Sequence, residues 1–243
     1  MATVRWLRAV AVVVVTALLL AFSCSWHTSP GLPQGVPPPP GDPVPPISTH
    51  VVGRGADQLA DWARERSAEL QIPATALEAY AYAARVAEVE NPNCHIAWTT
   101  LAGIGQVESR HGTHGNAILA PNGDVDPPIR GLRLDGTGGT LHIVDHEAGD
   151  LVDDDGVVRA LGPMQFIPET FRLYGVDANN DGVVSPDNID DAALSAAGYL
   201  CFRGKDLATT EGWIAALRAY NHSDHYARIV RDWATAYAAG HPL

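Results

Sequence analysis

The sequence predicts a mostly α, α+β domain that follows an export segment and a proline-rich linker. Three observations indicate this fold class. Ala- and Leu-rich stretches of helical length recur from residue 56 onward, the middle of the chain (116–159) is rich in Gly and Asp, and 46% of the 243 residues are hydrophobic. That apolar fraction is enough for the packed core of one sizeable domain. Helices joined through an irregular middle predict a cleft built around that middle.

The first 23 residues have the layout of an export signal. Arg5 and Arg8 precede an apolar run over 9–22 that only Thr16 interrupts, and small residues precede Cys24. A run of about 14 residues is short for a membrane-spanning helix, which needs roughly 20. Three outcomes stay open: cleavage with lipidation of Cys24, simple secretion, and a retained N-terminal anchor. Each places the body outside the cytoplasm, and the first and third hold it at the outer face of the cytoplasmic membrane.

Residues 24–50 predict a linker. Nine of the seventeen residues from Pro30 to Pro46 are proline. Because proline fixes φ and lacks an N–H, this segment favours an extended polyproline conformation. At about 3.1 Å per residue it could reach on the order of 50 Å, which suits a tether between a membrane and a cell wall.

Residues 51–243 predict one helical body without an internal repeat. Proline at the first turn, glycine beyond the last and helical periodicity define the elements. The predicted helices cover residues 56–70, 73–89, 95–110, 168–174, 190–202, 211–219 and 224–239, and residues 141–144 are strand-like.

The charge balance excludes some partners. The chain has 16 Lys+Arg against 28 Asp+Glu, a formal charge of −12, and Lys205 is its only lysine. Nucleic-acid binding needs clustered cations over phosphate, so no nucleic-acid partner is expected. We expect a monomer.

Two cysteines beyond Cys24 predict a disulfide. Cys94 and Cys201 are 107 positions apart, and in an oxidising compartment such a pair is expected to be bonded. Two separate buried thiols are the alternative.

Glu108 is the candidate acid. It lies on one helical stripe with Leu101 and Gly105, at spacings of seven and three, near the end of a predicted helix. Burial and the negative end of the helix dipole both disfavour its charged form and raise its pKa. A general acid that works near neutrality needs such a shift. Gly105, one turn earlier, permits close approach of another segment or a sugar ring.

Three segments resemble motifs of lytic transglycosylases. Gly105-Gln-Val-Glu-Ser-Arg-His-Gly112 resembles the catalytic Glu-Ser/Thr segment, Gly162-Pro-Met-Gln-Phe-Ile-Pro168 resembles a Gly-Xaa-Met-Gln-Phe-Xaa-Pro segment from the wall of the sugar cleft, and Tyr220-Asn-His-Ser-Asp-His-Tyr226 is similar to a Tyr-Asn-Xaa-Ser-Xaa-Xaa-Tyr motif. They occur in the family's order. The pattern is most similar to the membrane-bound lytic transglycosylase B family, in an actinobacterial form with an Asp-rich insertion.

The resemblance implies a lysozyme-like catalytic domain over 51–243 and cleavage of the β-1,4 bond between N-acetylmuramic acid and N-acetylglucosamine in peptidoglycan strands. In such enzymes one Glu protonates the leaving oxygen and then accepts a proton from the muramic 6-hydroxyl, which closes onto C1 to leave a 1,6-anhydro sugar. By this resemblance Glu108 is catalytic and needs no cofactor. Ser109 would orient the carboxyl, and the substrate-binding set is Ser109, Met164, Gln165, Tyr220, Asn221 and Tyr226, with Met164 more a wall residue than a ligand of the sugar.

Two other functions stay open. Ordinary glycosidases use a second carboxylate about 5 to 9.5 Å from the first. An acidic residue between 124 and 155 could serve as a base for water, which would make the protein a muramidase; the candidates are Asp124, Asp126, Asp135, Asp145, Glu147, Asp150 and Asp153 to Asp155. The third possibility is a catalytically inactive peptidoglycan-binding module.

Residues 177–185 match the first nine positions of a calcium loop. Asp177, Asn179 and Asp181 supply oxygens at positions 1, 3 and 5, and Val183 supplies a carbonyl at position 7. Asn188 replaces the usual Glu at position 12, and Asp190 or Asp191 could supply the missing carboxylate, although Asp190 is equally suited to cap the following helix. A structural Ca²⁺ is therefore expected, with a metal-free Asx turn as the alternative.

Zinc hydrolysis is not favoured, because His111, His114, His142 and His146 complete no ligand set. Trp98, Trp213 and Trp233 have the spacing of core residues rather than of sugar platforms.

Overall fold

Seven α-helices carry the fold in the described part of the chain. The computed structural model describes residues 35–137 and 158–243. The helices are α1 (Ala60–Leu70), α2 (Ala74–Glu90), α3 (Trp98–Ser109), α4 (Pro168–Tyr174), α5 (Ile189–Gly204), α6 (Thr210–Tyr220) and α7 (Asp224–Ala238), and a short 3-10 turn, Gly55–Leu59, leads into α1. The predicted mostly α class is confirmed, with each predicted helix present and its ends shifted by a few residues.

Side-chain caps begin the three C-terminal helices. Asn188 accepts the N–H groups of Asp190 and Asp191 at the start of α5, Thr209 caps α6 and Ser223 caps α7. These bonds satisfy backbone donors that the first turn of a helix leaves without a partner. The Ser223 cap fixes where α7 begins, and the junction between α6 and α7 contributes to the candidate site.

The Gly- and Asp-rich middle forms two small antiparallel strand pairs. β1 (Ile118–Leu119) pairs with β2 (Val125–Asp126), and β3 (Arg130–Arg133) pairs with β4 (Arg159–Leu161). The strand predicted over 141–144 lies outside the described residues. The second pair leads directly into the Gly162–Pro168 segment.

Helix α2 is the centre of the core. Most of its residues are buried, many of them alanine, and it packs against α1, α3 and α5. Helix α3 approaches α7 closely at Gly103, where a Cβ atom would lie 2.8 Å from the carbonyl oxygen of Val230. Small residues thus let α2, α5 and α7 pack around α3, the helix that carries Glu108.

The second half of the predicted linker is not a free spacer. Residues 35–50, here called the N-terminal strap, are extended as expected but lie along the helical body. The indole N–H groups of Trp62 and Trp98 donate to the carbonyls of Pro43 (3.1 Å) and Asp42 (3.0 Å), and Thr99 Oγ1 donates to Pro39 (3.0 Å). A polyproline segment keeps its carbonyls unpaired, and buried donors of the body use them. The long reach expected from the sequence therefore does not apply to this half.

Covalent and ionic contacts hold distant parts of the chain together. Cys94 and Cys201 form the predicted disulfide, with their Cα atoms 5.2 Å apart. Arg54, just after the strap, bonds to Asp190 at the start of α5 and to Glu78 on α2.

In the described residues, no helix is long and apolar enough to cross a membrane.

Candidate active site

Helix α3 places Glu108 next to its C-terminal end. Leu101, Ile104 and Gly105 of α3 are buried. Arg110 and His111 follow with positive φ angles of 53° and 60°, so the helix ends immediately after Ser109. The Glu108 side chain keeps part of its surface accessible, as an acid that protonates a substrate requires.

The surroundings of Glu108 raise the pKa of its carboxyl. Burial raises the pKa of the Glu108 carboxyl to about 7, and a hydrogen bond from Tyr226 opposes this rise. The Tyr226 hydroxyl donates to Glu108 Oε1 at 2.5 Å. Burial, and then the nearby carboxylate, raise the pKa of Tyr226 well above its ordinary value, so this hydroxyl remains a donor. The upward shift predicted for Glu108 is confirmed.

The Gly162–Pro168 segment forms a tight turn beside α3. Gly162 has a φ of +67°, and a Cβ at this position would lie 1.7 Å from the carbonyl oxygen of Pro186. Only glycine fits this position. Ser109 Oγ donates to the carbonyl of Pro163 at 2.6 Å and accepts the N–H of Gly112 at 2.7 Å. The end of α3 and the turn are thereby fixed to each other.

The α6–α7 junction closes the cluster. Tyr220 Oη donates to the carbonyl of Met164 at 2.7 Å. The rings of Tyr220 and Tyr226 are nearly parallel, with centroids 6.5 Å apart and an interplanar angle of 9°. The Ser223 cap holds the first turn of α7 so that Tyr226 faces Glu108.

Side-chain hydrogen bonds therefore join the three motifs in a closed circuit. The first bonds to the second through Ser109, the second to the third through Tyr220, and the third returns to the first through Tyr226. The bonded residues are 54, 56 and 118 positions apart in the chain, and the fold brings them to one place.

Two predicted substrate ligands lie behind the site. Ser109 and Met164 are buried, with exposures of 1% and 0%. The Ser109 hydroxyl bonds to the turn rather than to the Glu108 carboxyl, so the expected orienting role has no hydrogen bond to support it among the described residues. Met164 contributes its carbonyl oxygen to Tyr220 and its side chain to the core.

Gln165 and Asn221 lie at the surface of the cluster. Gln165 is half-buried with a φ of 49°, and its Nε2 donates to the carbonyl of Gly162 at 2.8 Å. Together with Tyr199 and Tyr220 it lines a small cavity of about 50 Å³. Asn221 is exposed directly after α6, and its Oδ1 accepts the N–H of Ser223 at 3.1 Å.

A buried polar chain beneath the site was not predicted. Tyr80 Oη lies 3.1 Å from His111 Nδ1, and His111 Nε2 lies 3.0 Å from Tyr237 Oη. Burial lowers the pKa of His111 to about 3, so the ring is neutral. The Tyr80 hydroxyl occupies the space left by Gly105, so the close approach expected at this glycine is made by α2. The two buried tyrosines among the alanines of α2, Tyr80 and Tyr82, were the available sequence signal.

Three of the candidate second carboxylates lie in the described part of the chain, and the others lie outside it. Asp124 accepts from the side chains of Asn122 and Asn188, and Asp135 from those of Arg133 and Thr137. Asp126 is exposed. The others, from Asp145 to Asp155, lie outside the described residues, as do His142 and His146.

The predicted calcium loop is a series of turns closed by Asp191. Asp177 accepts the N–H groups of Asp181 and Gly182, and buried Asp191 accepts those of Ala178 (2.7 Å) and Ser185 (2.9 Å). Asn179 and Asp181 bond to each other, and Val183 is exposed. Within 35–137 and 158–243, no three His, Cys, Asp or Glu side chains gather with metal-binding geometry.

One segment of the chain matches a known family. Residues 140–215 match the model of the Transglycosylase SLT domain. The match includes the Gly162–Pro168 turn and α5, while Glu108 and Tyr226 lie outside it. No curated protein sequence matches the chain at a significant level.

The chain is also remotely similar to solved structures. The lytic transglycosylase Slt35 of Escherichia coli, in complex with bulgecin A, is 18% identical, with a TM-score of 0.43 over 74% of this chain and 78% of that one. SltB3 from Pseudomonas aeruginosa, in complex with NAG-anhNAM-pentapeptide, is 16% identical, with a TM-score of 0.41 over 86% of this chain and 74% of that one.

Proposed function

We propose that the protein is an exported lytic transglycosylase that cleaves the β-1,4 bond between N-acetylmuramic acid and N-acetylglucosamine in peptidoglycan and leaves 1,6-anhydro ends. The observation that carries this proposal is the Glu108 carboxyl, with a pKa of about 7, at the meeting point of the three motifs. The transglycosylase match over 140–215 supports the same class of activity.

Glu108 first acts as the general acid. With a pKa of about 7, a large fraction of the carboxyl is protonated near neutral pH. Its proton passes to the glycosidic oxygen, and the bond between that oxygen and C1 breaks. Tyr226 stabilises the carboxylate that remains, because a hydrogen bond to a charged acceptor is stronger than one to a neutral acceptor.

Glu108 then acts as the base. The carboxylate takes the proton of the 6-hydroxyl of the muramic ring, and the oxygen of that hydroxyl forms the new bond to C1. The proton that Glu108 gave is thereby replaced, so the enzyme returns to its starting state without consuming water. One carboxyl is sufficient for this sequence of steps.

Gln165, Tyr220 and Asn221 would bind the sugar. The Gln165 amide and the exposed Asn221 amide offer donors and acceptors to hydroxyl and acetamido groups. The ring of Tyr220, held by its bond to Met164, would form part of the wall. Ser109 and Met164 would act from behind, by fixing the turn that carries Gln165.

Replacement of the acid tests the proposal. In Glu108→Gln the carboxyl is lost with little change of shape, and release of soluble fragments from purified peptidoglycan should fall roughly 10²–10⁴-fold. Glu69→Gln, at an exposed position of α1, is the matched control and should remain active. Wild-type release by Glu108→Gln would refute the assignment, and a wild-type protein that binds but releases nothing would identify an inactive module.

We also propose a structural Ca²⁺ at the 177–191 loop. Asp177, Asn179, Asp181, Val183 and Asp191 offer carboxylate, amide and carbonyl oxygens, the ligand type that Ca²⁺ prefers. Asp191 also accepts the N–H groups of Ala178 and Ser185 and so holds two parts of this segment together. A thermal melt of wild type and Asp177→Asn, with Ca²⁺ and with chelator, tests this. Wild type alone should lose midpoint temperature in chelator; identical curves would rule out a stabilising ion.

Cys24 is proposed as the lipid site that holds the enzyme at the membrane. Palmitate labelling of wild type and Cys24→Ala distinguishes lipidation from simple secretion. Label in wild type alone supports an acylated Cys24.

A further inference from the structure

A second cavity lies on the side of α3 opposite Glu108. It has a volume of about 260 Å³ and is bordered by Gln71, Gln106, Arg110, Thr113, Trp233 and Tyr237, which we call the rear groove. Gln106 precedes Glu108 by two residues, and two residues turn a helix by about 200°. Gln106 and Glu108 therefore point to different sides of α3, and the rear groove lies away from the Glu108 carboxyl.

The side chains of Thr113 and Tyr237 in the rear groove bond to the carbonyl of Arg110 and to His111, whereas three other polar side chains that border it are unpaired in the part of the chain that the structure describes. Within the described residues, the side chains of Gln71, Gln106 and Arg110 make no hydrogen bond or ion pair. The Arg110 guanidinium is thus without an ion-pair partner there, although the chain has a formal charge of −12. Two amides and a cation thus border one cavity with their hydrogen-bonding capacity unused.

Two of these side chains occupy positions where glycine is the favoured residue. Gln71 and Arg110 follow the last residues of α1 and α3, with φ angles of 54° and 53°. Helices commonly end on a left-handed glycine, because other residues meet a steric cost there. The sequence keeps a long polar side chain at both positions despite that cost, and both border the rear groove.

An indole ring completes the rear groove. Trp98 and Trp213 are buried, as expected for core residues, but Trp233 is only partly buried. Its ring lies 5.5 Å from that of Tyr237 between centroids. The exposed part of an indole offers an apolar platform with a polar edge, so the packing role expected for Trp233 accounts for only part of its surface.

We propose that the rear groove is a second binding site for peptidoglycan, with an aminosugar ring over Trp233, its acetamido and hydroxyl groups on Gln71 and Gln106, and a carboxylate of the attached peptide on Arg110. The proposal rests on the proposed function, which supplies the polymer. A guanidinium and a carboxylate form a charge-assisted, often bidentate pair. A strand held here would keep the enzyme on the insoluble wall between cuts.

Binding to insoluble material tests the site without catalysis. In a Glu108→Gln background, Arg110→Gly should weaken sedimentation with purified peptidoglycan by about tenfold. The same substitution should raise the melting temperature by roughly 2–4 °C, because glycine relieves the left-handed position. Gln71→Gly should likewise weaken sedimentation with peptidoglycan and raise the melting temperature. Arg64→Ala removes an exposed arginine of α1 that pairs with Asp61 and is the charge-matched control.

The outcomes separate this inference from the proposed function. With Glu108 intact, Arg110→Gly should cleave a short soluble glycan at the wild-type rate and insoluble peptidoglycan more slowly. Unchanged sedimentation of Arg110→Gly, or an equal loss in Arg64→Ala, would overturn the rear-groove site. An equal loss on chitin, which lacks the peptide carboxylates, would contradict the role given to Arg110. A wild-type enzyme that cleaves neither substrate would overturn the proposed function while the sedimentation result still decides the groove.

Discussion

The hydroxyl of Tyr226 donates a 2.5 Å hydrogen bond to Glu108 Oε1, across 118 positions of sequence. This contact joins the start of α7 to the end of α3 and places a permanent donor on the only carboxyl that the proposed reaction uses. It stabilises the charged form of Glu108, while burial favours the neutral form by a larger amount.

Removal of this donor should change both rate and pH dependence. In Tyr226→Phe, the pKa of Glu108 should rise above about 7, because the opposing hydrogen bond is lost. The fall of kcat/KM at alkaline pH should move to higher pH, and the maximum rate should drop roughly 10- to 100-fold.

The matched control for that experiment is Tyr174→Phe. Tyr174 packs against Tyr199 with ring centroids 5.0 Å apart, and its hydroxyl makes no hydrogen bond among the described residues. A pH–rate profile of Tyr226→Phe that overlays this control would show that the contact does not tune the acid.

Glu108 should make stability depend on pH. Its pKa in the folded protein, about 7, is above the ordinary value of 4.5. Between pH 4.5 and 7, the folded protein keeps a proton on Glu108 that the unfolded chain has released. The free energy of unfolding should therefore be highest below pH 4.5 and should fall by roughly 3 kcal/mol in total as the pH rises through 7. Glu108→Gln should melt above wild type at pH 8 and near it at pH 4.5, whereas Glu69→Gln should show no such difference. Parallel wild-type and Glu108→Gln melting curves across pH would contradict the burial of this carboxyl.

Gly162 should tolerate no side chain. In Gly162→Ala, the new Cβ meets the Pro186 carbonyl and the left-handed φ is unfavourable, so unfolding free energy should fall by roughly 2–5 kcal/mol. Gly198 of α5 has open space around it, and Gly198→Ala should gain about 0.5–1 kcal/mol. Urea unfolding of the two variants measures both values, and a Gly162→Ala variant as stable as wild type would refute the turn geometry.

The disulfide should contribute substantially to stability. Cys94 and Cys201 close a loop with a sequence separation of 107, for which chain entropy predicts about 5 kcal/mol. The Cys94→Ala/Cys201→Ala double variant should unfold at a lower denaturant concentration than wild type. Reductant should lower the midpoint of wild type but not that of the double variant. Cys24→Ala should retain the full response to reductant; an unresponsive wild type would argue for two free thiols.

Local patterns in the sequence predicted the helices and the raised pKa of Glu108. The helices follow from apolar periodicity and caps, and burial of Glu108 follows from the stripe that it shares with Leu101 and Gly105. The roles of Ser109 and Met164 could not be derived in this way, because they depend on contacts with Pro163 and Tyr220 that only the tertiary fold creates.

The strap illustrates a second limit. Proline content predicted its extended backbone correctly, since proline restricts φ locally. Whether that backbone lies free or against the body depends on the indole donors of Trp62 and Trp98, far along the chain. In the same way, nothing local to α2 indicated that Tyr80 would fill the space beside Gly105.

The chemistry of the product ends tests the central claim most directly. Peptidoglycan digested by the wild-type enzyme in ¹⁸O-labelled water can be separated and weighed by mass spectrometry. With Glu108 as the only acid and base, the muramic ends should be 1,6-anhydro rings without ¹⁸O. Reducing ends that carry ¹⁸O would mean that water attacks C1 with the help of a second carboxylate, and would contradict the account.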